Sequence, residues 1–558
     1  MKNRRSFIKK LSALGIISSF PPLSIAHQGA REEITWFASG NAGIVAAGPA
    51  PSAKAGVRIL EEGGNAVDSA VAVIFNLAVS DYGMFSIGGE SPFMYFDAKK
   101  GEVSVFNGMG GAPKDPKAIE WYYENGIPEK GIKAATTPST ISTCMAALAR
   151  NGTLSFEKII QPTLELLDDG GKEWYANLAK TLRKLIDTER STNGNREKKI
   201  QAARDRFYKG DIADELHEYY IRSEGFLRKS DLETHVTKVE KSVSVDYRGF
   251  SIHKCNTWTQ GPVFLQSLRL LEKFDIKSMG HFSPDYIHAA VEAMKLAFAD
   301  RDRYYGDPEF ANVPIKKLLS QRYTNIRSKL IDMEKASDEI RPGDPYKMKA
   351  LAGPGQYWPG EKGTTTCVVL DKWGNMVAAT PSSNPEYGIC ESLGIAHNTR
   401  LSSLNIQKGH PNALEAGKRP RITLTPTIVL KNQKPIIGMS VAGQDMQDQT
   451  GLQLFLNLVE FGMLPKEAME TPRFRTYHLE HSFVPKADPK ERFISMDKLD
   501  INETGRMVIE KLSKKGHDVN VVDNVIAYPA MVYVDPDSGI AYAAADPQRK
   551  FCSAVKMS

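Results

Sequence analysis

The sequence predicts an α/β protein in which paired β-sheets are covered by helices. Three observations favour this fold class. A buried strand and two helical patterns open the chain after residue 43, residues from about 115 to 340 are mostly helical, and strand patterns resume after residue 363. The 558 residues are 41% hydrophobic and 25% charged, a globular composition. Such a length allows about two to four domains or one large α/β unit.

Residues 1–26 are predicted to be an export signal. They have a basic start, a short apolar stretch and small residues near Ala26, and the apolar stretch is too short to span a membrane. The pair Arg4-Arg5 and the residues after it resemble a bacterial twin-arginine signal. A Sec-type signal or a lipid-free membrane anchor is the alternative. We expect a periplasmic or secreted protein with no stable membrane span.

The basic charge of the chain belongs to this signal. Residues 1–28 hold five of the 72 Lys and Arg residues and none of the 66 Asp and Glu residues, which leaves 67 basic against 66 acidic residues. Binding to phosphate backbones needs a concentrated basic surface. No nucleic-acid partner is therefore predicted.

The cysteines and histidines show no metal-binding pattern. There is no CxxC, HxxxH or HExxH motif, so neither a metal nor a cofactor is predicted. The odd number of cysteines argues against a full disulfide framework, although one bridge in an oxidising periplasm stays open. The five cysteines are Cys144, Cys255, Cys367, Cys390 and Cys552.

The first elements after the signal are a strand, two helices and a hairpin. Residues 45–47 predict a buried strand, and Ser52 is expected to cap a helix that runs through Leu60. Asn65 opens a second helix that is apolar on most of its surface and should be buried. The sequence Lys-Lys-Gly at 99–101 predicts a turn between two strands.

The second half is predicted to be rich in strands. Residues 300–303, Asp-Arg-Asp-Arg, indicate a salt-bridged helix end. A long stretch rich in Gly and Pro at 335–362 is typical of a functional or mobile loop. Two strands joined by a turn at 372–374 follow it, and later helices are expected over 450–462 and 503–515.

The sequence GTTTC, residues 363–367, carries the chemical hypothesis. A threonine hydroxyl needs a base, and an N-terminal threonine has its own α-amine, whose unperturbed pKa is about 7.7–8. Thr364 is internal, so this mechanism requires a cut between Gly363 and Thr364. Glycine leaves its carbonyl open to attack, and the preceding loop gives the new end room to move. From the residues alone, a strand edge without chemistry remains the alternative.

Ordered motifs along nearly the whole mature chain resemble one family. They include AAGPAPSAKAGVRILEEGGNAVDSAVA, SIGGESPFM, FLRKSDLETH, GTTTCVVLDKWGNMVAAT and GKRPRITLTPTIVL. The chain resembles the γ-glutamyltransferase (glutathione hydrolase) family of N-terminal nucleophile hydrolases. The resemblance implies a four-layer αββα sandwich and a proenzyme that cuts itself into a large subunit, 27–363, and a small subunit, 364–558.

The resemblance also assigns roles to single residues. It implies that Thr364 is the nucleophile and new N-terminus and that Ser382 is a hydroxyl residue close to its amine. Asn384 lies where the family contacts the glutamyl head group. Gly443 matches one glycine of a paired-glycine oxyanion loop, and Gln444 replaces the other. Backbone N–H groups are the donors in such a loop, so a side chain there is tolerable.

Several positions depart from the family pattern. Met109 stands where the family has an arginine that holds the substrate α-carboxylate, and Thr366 stands where it has a histidine. The stretch HNTRLSS lacks the family aspartate that reads the amino group; Asn398 and Arg400 within it are predicted to bind substrate, with Arg400 offering a replacement charge. The family's paired serines are Ile422 and Thr423 here.

Other polar residues have a structural interpretation beside the functional one. Thr365 and Thr366 are expected to build the strand, and Asp68 is expected to pack or cap its helix. The turn at 88–90 either borders the pocket or is only a tight turn. The pair at 418–419, Lys-Arg, is expected to be solvated or paired with carboxylates.

The predicted function is a self-processing hydrolase or transferase that cleaves γ-glutamyl amides such as glutathione through an acyl-enzyme on Thr364. Its partners are then a small amide substrate and the two subunits of one precursor. A related amidohydrolase or acylase with a non-glutamyl substrate is one alternative. An uncleaved homologue that only binds ligands is the other.

Overall fold

The computed structural model describes residues 36–350, 363–383, 388–483, 498–523, 526–548 and 553–557. The predicted export signal, most of the second half of the Gly/Pro-rich loop, Asn384 and Cys552 lie outside these ranges.

The helices lie mainly before residue 330. None of the helices in the described ranges is long and apolar enough to cross a membrane. The helices are α1 (Ala50–Glu61), α2 (Ala66–Ser80), α3 (Pro116–Asn125), α4 (Thr140–Asn151), α5 (Phe156–Asp168), α6 (Tyr175–Ser191), α7 (Arg196–Lys209), α8 (Asp211–Arg222), α9 (Lys229–Glu233), α10 (Pro262–Leu271), α11 (Ile276–Met279), α12 (Pro284–Tyr304), α13 (Ile315–Leu318), α14 (Gln321–Arg327), α15 (Gln447–Val459), α16 (Pro465–Glu470) and α17 (Arg506–Lys514).

The strands come from both halves of the chain. They are β1 (Phe37–Gly40), β2 (Ile44–Ala47), β3 (Phe93–Asp97), β4 (Glu102–Phe106), β5 (Val239–Lys241), β6 (Val243–Tyr247), β7 (Phe250–Lys254), β8 (Gly343–Asp344), β9 (Lys349–Ala350), β10 (Cys367–Leu370), β11 (Met376–Ala379), β12 (Ile389–Cys390), β13 (Ile395–Ala396), β14 (Thr427–Lys431), β15 (Lys434–Ala442), β16 (Phe474–Thr476), β17 (Lys498–Asn502), β18 (Asp518–Val522), β19 (Tyr528–Val534), β20 (Ala541–Ala545) and β21 (Ser553–Lys556).

Two large antiparallel sheets form the centre of the fold. Sheet I has the strand order β1-β20-β19-β15-β14-β7-β6, and sheet II has the order β21-β2-β10-β11-β3-β4-β5. Each sheet takes strands from before and after the Gly363–Thr364 bond. The segments predicted as large and small subunits are therefore interleaved within one fold.

Alternation along the strands creates the layers. In β10, Cys367 and Val369 face the helical layer that contains α1, α2, α4 and α5, whereas Val368 and Leu370 pack against residues of sheet I such as Val532. The outer face of sheet I packs on α10, α12 and α15. Burying one such aliphatic side chain contributes about 1.5–3 kcal/mol. The predicted αββα sandwich is confirmed.

Helix α2 is buried because apolar side chains cover nearly all of its circumference. Hydrogen bonds within the helix start also satisfy its N-terminal polar groups. The Asn65 side chain accepts hydrogen bonds from the backbone N–H groups of Val67 (2.9 Å) and Asp68 (3.1 Å), and Asp68 accepts one from the backbone of Asn65 (3.0 Å). This is a capping box. The capping role expected for Asp68 is confirmed.

The predicted cap of α1 was wrong. The helix begins at Ala50, before Ser52, because Pro51 in the first turn needs no N–H partner there. Ser52 Oγ instead lies 2.7 Å from Ser80 Oγ, which ties α1 to α2.

Residues 239–254, expected within a mostly helical region, form β5, β6 and β7. Strand β5 is the edge strand of sheet II, and β6 is the edge strand of sheet I with β7 beside it. Within β6, Val245 and Tyr247 are buried while the residues before and after Val245 are exposed. That period of two marks a strand despite the helices on either side.

Candidate active site

Three loops meet at one end of the central strands of sheet II. Thr364 comes just before β10, Ser382 just after β11, and Glu90 just before β3. The antiparallel registers pair Cys367 with Ala379 and Ala379 with Phe93. Because neighbouring antiparallel strands run in opposite directions, the start of β10, the end of β11 and the start of β3 lie side by side.

Two hydroxyl groups converge on the carbonyl oxygen of Gly363. Thr364 Oγ1 donates a hydrogen bond of 2.8 Å to it, and Ser382 Oγ donates another of 2.7 Å. The two hydroxyl oxygens are 3.3 Å apart, and Thr364 is only 4% exposed. Two donors on one peptide carbonyl draw electron density towards its oxygen and make its carbon a better target for a nucleophile.

The next two threonines differ from Thr364. The backbone N–H of Thr365 donates to the Pro381 carbonyl (3.0 Å), and the Thr366 carbonyl accepts from the backbone of Gly48 (3.1 Å). Both side-chain hydroxyls are buried without a hydrogen-bond partner among the described residues. Their backbones thus extend the pairing of β10.

A buried arginine lies directly behind Ser382. Arg400 begins a 3₁₀ turn, Arg400–Ser403, and is 5% exposed. Its Nη2–H donates to Ser382 Oγ and its Nε–H donates to Glu90 Oε1, which forms an ion pair. The guanidinium carbon lies 5.2 Å from the centre of the Phe483 ring. Arg400 is therefore held by three groups.

Glu90 is the side chain of the candidate site that sequence reasoning missed, since only its turn was considered. Burial raises the pKa of its carboxyl to about 7, although the Arg400 charge acts to lower it. Glu90 and Ser382 also exchange backbone hydrogen bonds of 3.0 and 2.9 Å. The available signal was an acid placed between a Gly-Gly pair and an apolar strand, because a buried charge needs a partner.

Asn398 supports the turn that presents Arg400. Its Oδ1 accepts from the backbone N–H groups of Arg400 (3.1 Å) and Thr136 (3.0 Å), and its Nδ2 donates to the Gly88 carbonyl (3.2 Å). Both ends of the amide are thus engaged within the protein. Asn384, the other asparagine predicted to bind substrate, lies outside the described residues.

Met109 packs between the two sheets. Its side chain is fully buried in the core that the sheets share. Its carbonyl accepts a hydrogen bond from Arg419 Nε (3.2 Å), and Arg419 also pairs with Glu309 (2.9 Å). Lys418 pairs with Glu415 (2.7 Å), so carboxylate pairing of this Lys-Arg sequence is confirmed.

The predicted oxyanion loop follows β15. Gly443 has φ 144°, and a Cβ there would lie 2.6 Å from that of Ala527, so only glycine fits. Gln444 has φ 53°, in the left-handed region that glycine favours. A hydrogen bond of 2.9 Å between Thr380 and Ser440 ties the end of β11 to β15, close to both loops.

A second buried ion network lies beneath the oxyanion loop. Arg301 donates to Asp445 (2.5 Å) and Asp302 (2.7 Å), and Ser482 Oγ donates to Asp445 (2.5 Å). Burial acts to raise the pKa of Asp445, but Arg301, His481 and Ser482 outweigh it and lower that pKa. The salt-bridged helix end predicted from residues 300–303 is confirmed.

The described part of the chain contains no group of three His, Cys, Asp or Glu side chains that could hold a metal ion. The groups that meet beside Gly363 are two hydroxyls and the ion pair of Arg400 with Glu90. With these groups the site can polarise a carbonyl and stabilise the negative charge that develops when a nucleophile adds to it.

The four layers of helices and sheets are the architecture of the N-terminal nucleophile hydrolases that the sequence resembles. The family model described as gamma-glutamyltranspeptidase matches residues 52–172 and 172–555. The chain therefore belongs to the gamma-glutamyltranspeptidase family and is an enzyme of the hydrolase and transferase type. The resemblance seen in the sequence is confirmed.

Known proteins similar to this chain include hydrolases and acylases. The glutathione hydrolase proenzyme of Escherichia coli (strain K12) is 29% identical over an alignment 612 positions long, which covers 97% of this chain and 98% of that relative. The acylase ACY 1 proenzyme of Pseudomonas sp. (strain SE83) is 29% identical over 487 residues, covering 79% and 83%.

Solved structures of similar proteins share the fold. LmbA2991HD superposes with a TM-score of 0.83 at 30% identity and covers 93% of this chain and 98% of its own. The cephalosporin acylase from Bacillus halodurans superposes with a TM-score of 0.77 at 23% identity, with 97% and 100% covered, which supports the fold alone.

Proposed function

We propose that the chain is a proenzyme that cuts itself between Gly363 and Thr364 and then works as an N-terminal threonine hydrolase. The observation that carries this proposal is the convergence of Thr364 Oγ1 (2.8 Å) and Ser382 Oγ (2.7 Å) on the Gly363 carbonyl. A large subunit, 27–363, and a small subunit, 364–558, follow from that cut.

The self-cleavage proceeds in two steps. Thr364 Oγ1 bonds to the Gly363 carbonyl carbon, the C–N bond to Thr364 breaks, and the hydroxyl proton ends on the released nitrogen. Water then hydrolyses the ester, which leaves a carboxylate on Gly363 and a free hydroxyl and α-amine on Thr364. Ser382 donates to the carbonyl oxygen while it carries negative charge.

The mature enzyme repeats this chemistry on a small amide. The new α-amine, with an unperturbed pKa of about 7.7–8, takes the Thr364 hydroxyl proton. The hydroxyl oxygen bonds to the substrate carbonyl carbon, the C–N bond breaks, and the α-ammonium passes its proton to the leaving amine. An acyl-enzyme on Thr364 remains until water or an acceptor amine takes the acyl group. The backbone N–H groups of Gly443 and Gln444 stabilise the oxyanion.

A denaturing gel tests this proposal. Purified mature protein should give two fragments, and the smaller should begin at Thr364. Thr364→Ala should stay uncut, whereas Thr364→Ser, which keeps a hydroxyl, should still split. A single band in the parent protein is the outcome expected of an uncleaved binding homologue and would sink the proposal. A split in Thr364→Ala would mean that another protease makes the cut.

γ-Glutamyl amides such as glutathione are the substrates that we propose first. The support is family membership and the glutathione hydrolase relatives. Rates of release from glutathione, a γ-glutamyl anilide and simple acyl amides should be compared. Efficient turnover of glutathione supports the γ-glutamyl assignment.

A non-glutamyl acylase is the second candidate. Met109, where the resemblance expects a carboxylate-binding arginine, is fully buried, and the charge of Arg400 is already paired with Glu90. An acylase proenzyme is also among the similar proteins. If simple acyl amides react faster than γ-glutamyl compounds on the same panel, the acylase assignment replaces the first.

We propose export to the periplasm or outside the cell through the twin-arginine route. The support is the basic, apolar and small-residue pattern of residues 1–26. Replacing Arg4 and Arg5 with lysine should keep the protein in the cytoplasmic fraction. Unchanged export of that double variant would point to a Sec-type signal instead.

A further inference from the structure

We propose that Arg400, held in place by Glu90, is a positioning residue that commits the Ser382 hydroxyl to the Gly363 carbonyl and thereby sets the rate of self-cleavage. The inference rests on the proposed cut between Gly363 and Thr364 and deepens it. It assigns Glu90 a function and gives Arg400 a different role from the substrate contact expected from the sequence.

The hydrogen-bonding capacity of Ser382 carries the first step. A serine hydroxyl has one hydrogen and two lone pairs, whereas an arginine has only donors and stays charged. Since Arg400 Nη2–H points at Ser382 Oγ, it occupies a lone pair of that oxygen. The single hydrogen of Ser382 is then free to point at the Gly363 carbonyl, 2.7 Å away.

The charge of Arg400 makes that hydrogen bond stronger. A donor whose own oxygen accepts from a cation is polarised, and chains of hydrogen bonds strengthen one another in a buried site. Negative charge develops on the Gly363 oxygen when Thr364 attacks. Arg400 therefore stabilises this charge through Ser382, which keeps its proton throughout the step.

Glu90 fixes the position of Arg400. Glu90 is fully buried, and it is the carboxylate that pairs with Arg400 among the described residues. Its backbone is tied to that of Ser382 by two hydrogen bonds, so the acid, the arginine and the serine move together. Its second oxygen, Oε2, has no partner in the described part of the chain.

The geometry distinguishes positioning from substrate binding. The guanidinium is engaged by Glu90, by Ser382 and by the ring of Phe483. A substrate-binding arginine affects the KM of the mature enzyme. A positioning residue for self-cleavage instead affects the rate at which the precursor disappears, when no substrate is present.

The first experiment measures self-cleavage of freshly synthesised precursor on a denaturing gel over time. Arg400→Met should slow it by about 100-fold or more, the effect of losing a stabilising donor. Arg400→Lys keeps the charge but not the two donor nitrogens of the guanidinium, so it should retain part of the cleavage rate that Arg400→Met loses. Millimolar guanidinium should restore cleavage to Arg400→Ala, whereas sodium chloride should not.

A matched control separates this effect from the loss of any buried arginine. Arg204 is also 5% exposed and also donates to a serine hydroxyl, that of Ser142 on α4 (3.1 Å). Arg204→Met should cleave at the parental rate once folded, as judged by its melting curve. Equal slowing in the two methionine variants would mean that the arginine acts only through the fold.

The second experiment uses pH. Arg400 is the charged group among the described residues that faces Glu90, and the carboxyl has a pKa of about 7. Self-cleavage of the parent should therefore fall about tenfold per pH unit below this pKa. Glu90→Gln should be slow and lose this inflection. Glu240→Gln, which removes a half-buried acid that accepts a hydrogen bond from Trp258 Nε1 (2.6 Å), should keep it.

The outcomes separate the two proposals. If Thr364→Ala still splits, or the small fragment begins elsewhere, the proposed function fails and so does this inference. If Thr364→Ala stays intact but Arg400→Met cleaves at the parental rate, only the role of Arg400 is overturned. A parental pH profile in Glu90→Gln would likewise overturn the role of Glu90.

Discussion

Two regions of this enzyme hold a serine hydroxyl in place with a buried arginine. Beside Thr364, Arg400 donates to Ser382, which donates to the Gly363 carbonyl. Beneath the oxyanion loop, Arg301 approaches Ser482 at 3.4 Å, and Ser482 donates to a carboxylate oxygen of Asp445 at 2.5 Å. The arrangement is the same, and the last acceptor differs.

The last acceptor decides what each arrangement does. Each arginine pairs with a carboxylate, Arg301 with Asp445 and Arg400 with Glu90. Beneath the loop the serine donates to that same carboxylate, which is charged at rest, so the network serves to hold Asp445 in place. A peptide carbonyl carries little charge until it is attacked. The polarisation that Arg400 delivers through Ser382 therefore grows only during the reaction, which is the condition for catalysis.

Arg301→Met should give the largest loss of stability. It leaves Asp445 and Asp302 buried without their main counter-charge, and breaking a buried pair costs about 3–5 kcal/mol. Urea unfolding of the uncut Thr364→Ala protein measures this loss. Arg506→Met, which breaks an exposed pair with Glu510, should cost under about 1 kcal/mol. Equal losses in both variants would contradict the structural role of the network beneath the oxyanion loop.

Replacing each serine with alanine distinguishes the two regions. Ser382→Ala should slow self-cleavage by about 100- to 1000-fold, the cost of one donor to a developing oxyanion. Ser482→Ala should instead lower stability by about 1.5–3 kcal/mol, because a hydrogen bond to a charged group is lost. Cleavage time courses and urea unfolding, each measured on both variants, test whether one serine affects the cleavage rate and the other the stability. If Ser482→Ala also slows cleavage 100-fold, the network beneath the loop takes part in the chemistry.

The sequence predicts one of these regions better than the other. The alternating charges of the Asp-Arg-Asp-Arg sequence at 300–303 predict a local ion pair. The hydroxyls of Thr364 and Ser382 follow from ordered family motifs. The pairing of Glu90 with Arg400 could not be predicted, since it joins residues 310 positions apart through the register of sheet II and the turn after β13. Local patterns do not contain that register.

The same limit applies to the fold. Short apolar runs joined by a turn at 372–374 predict β10 and β11, and helical spacing predicts α2. Strands β5–β7 were missed because they are short and lie between helices. The burial of Met109 between the sheets was not predictable either, since it depends on how two distant sheets pack.

Low pH is also expected to destabilise the fold, and this effect is distinct from the effect of Glu90 protonation on the rate of self-cleavage. His517 is buried against His288, Lys295, Lys515 and Glu292; burial first, then the nearby cations, lower its pKa to about 3. Its neutral form therefore stabilises the fold fully above the unfolded pKa of about 6.5, and this stabilisation is lost as pH falls towards 3. At pH 5 the loss is about 2 kcal/mol.

His517→Asn should remove that part of the pH dependence. Urea unfolding of the Thr364→Ala protein and of its His517→Asn derivative, each at pH 7 and pH 5, gives the comparison. The parent should lose about 2 kcal/mol more than the derivative on acidification. Identical losses would show that His517 is not held neutral. Self-cleavage of the His517→Asn precursor should keep the inflection assigned to Glu90.

The smallest effect concerns the two threonines after the nucleophile. Because the hydroxyls of Thr365 and Thr366 are buried without a described partner, replacing either with valine keeps the shape and removes an unmet polar group. Stability should stay the same or rise by up to about 1 kcal/mol. Gel time courses should show Thr365→Val and Thr366→Val cleaving at the parental rate while Thr364→Val stays intact. A slow Thr366→Val would instead assign its hydroxyl a part in self-cleavage.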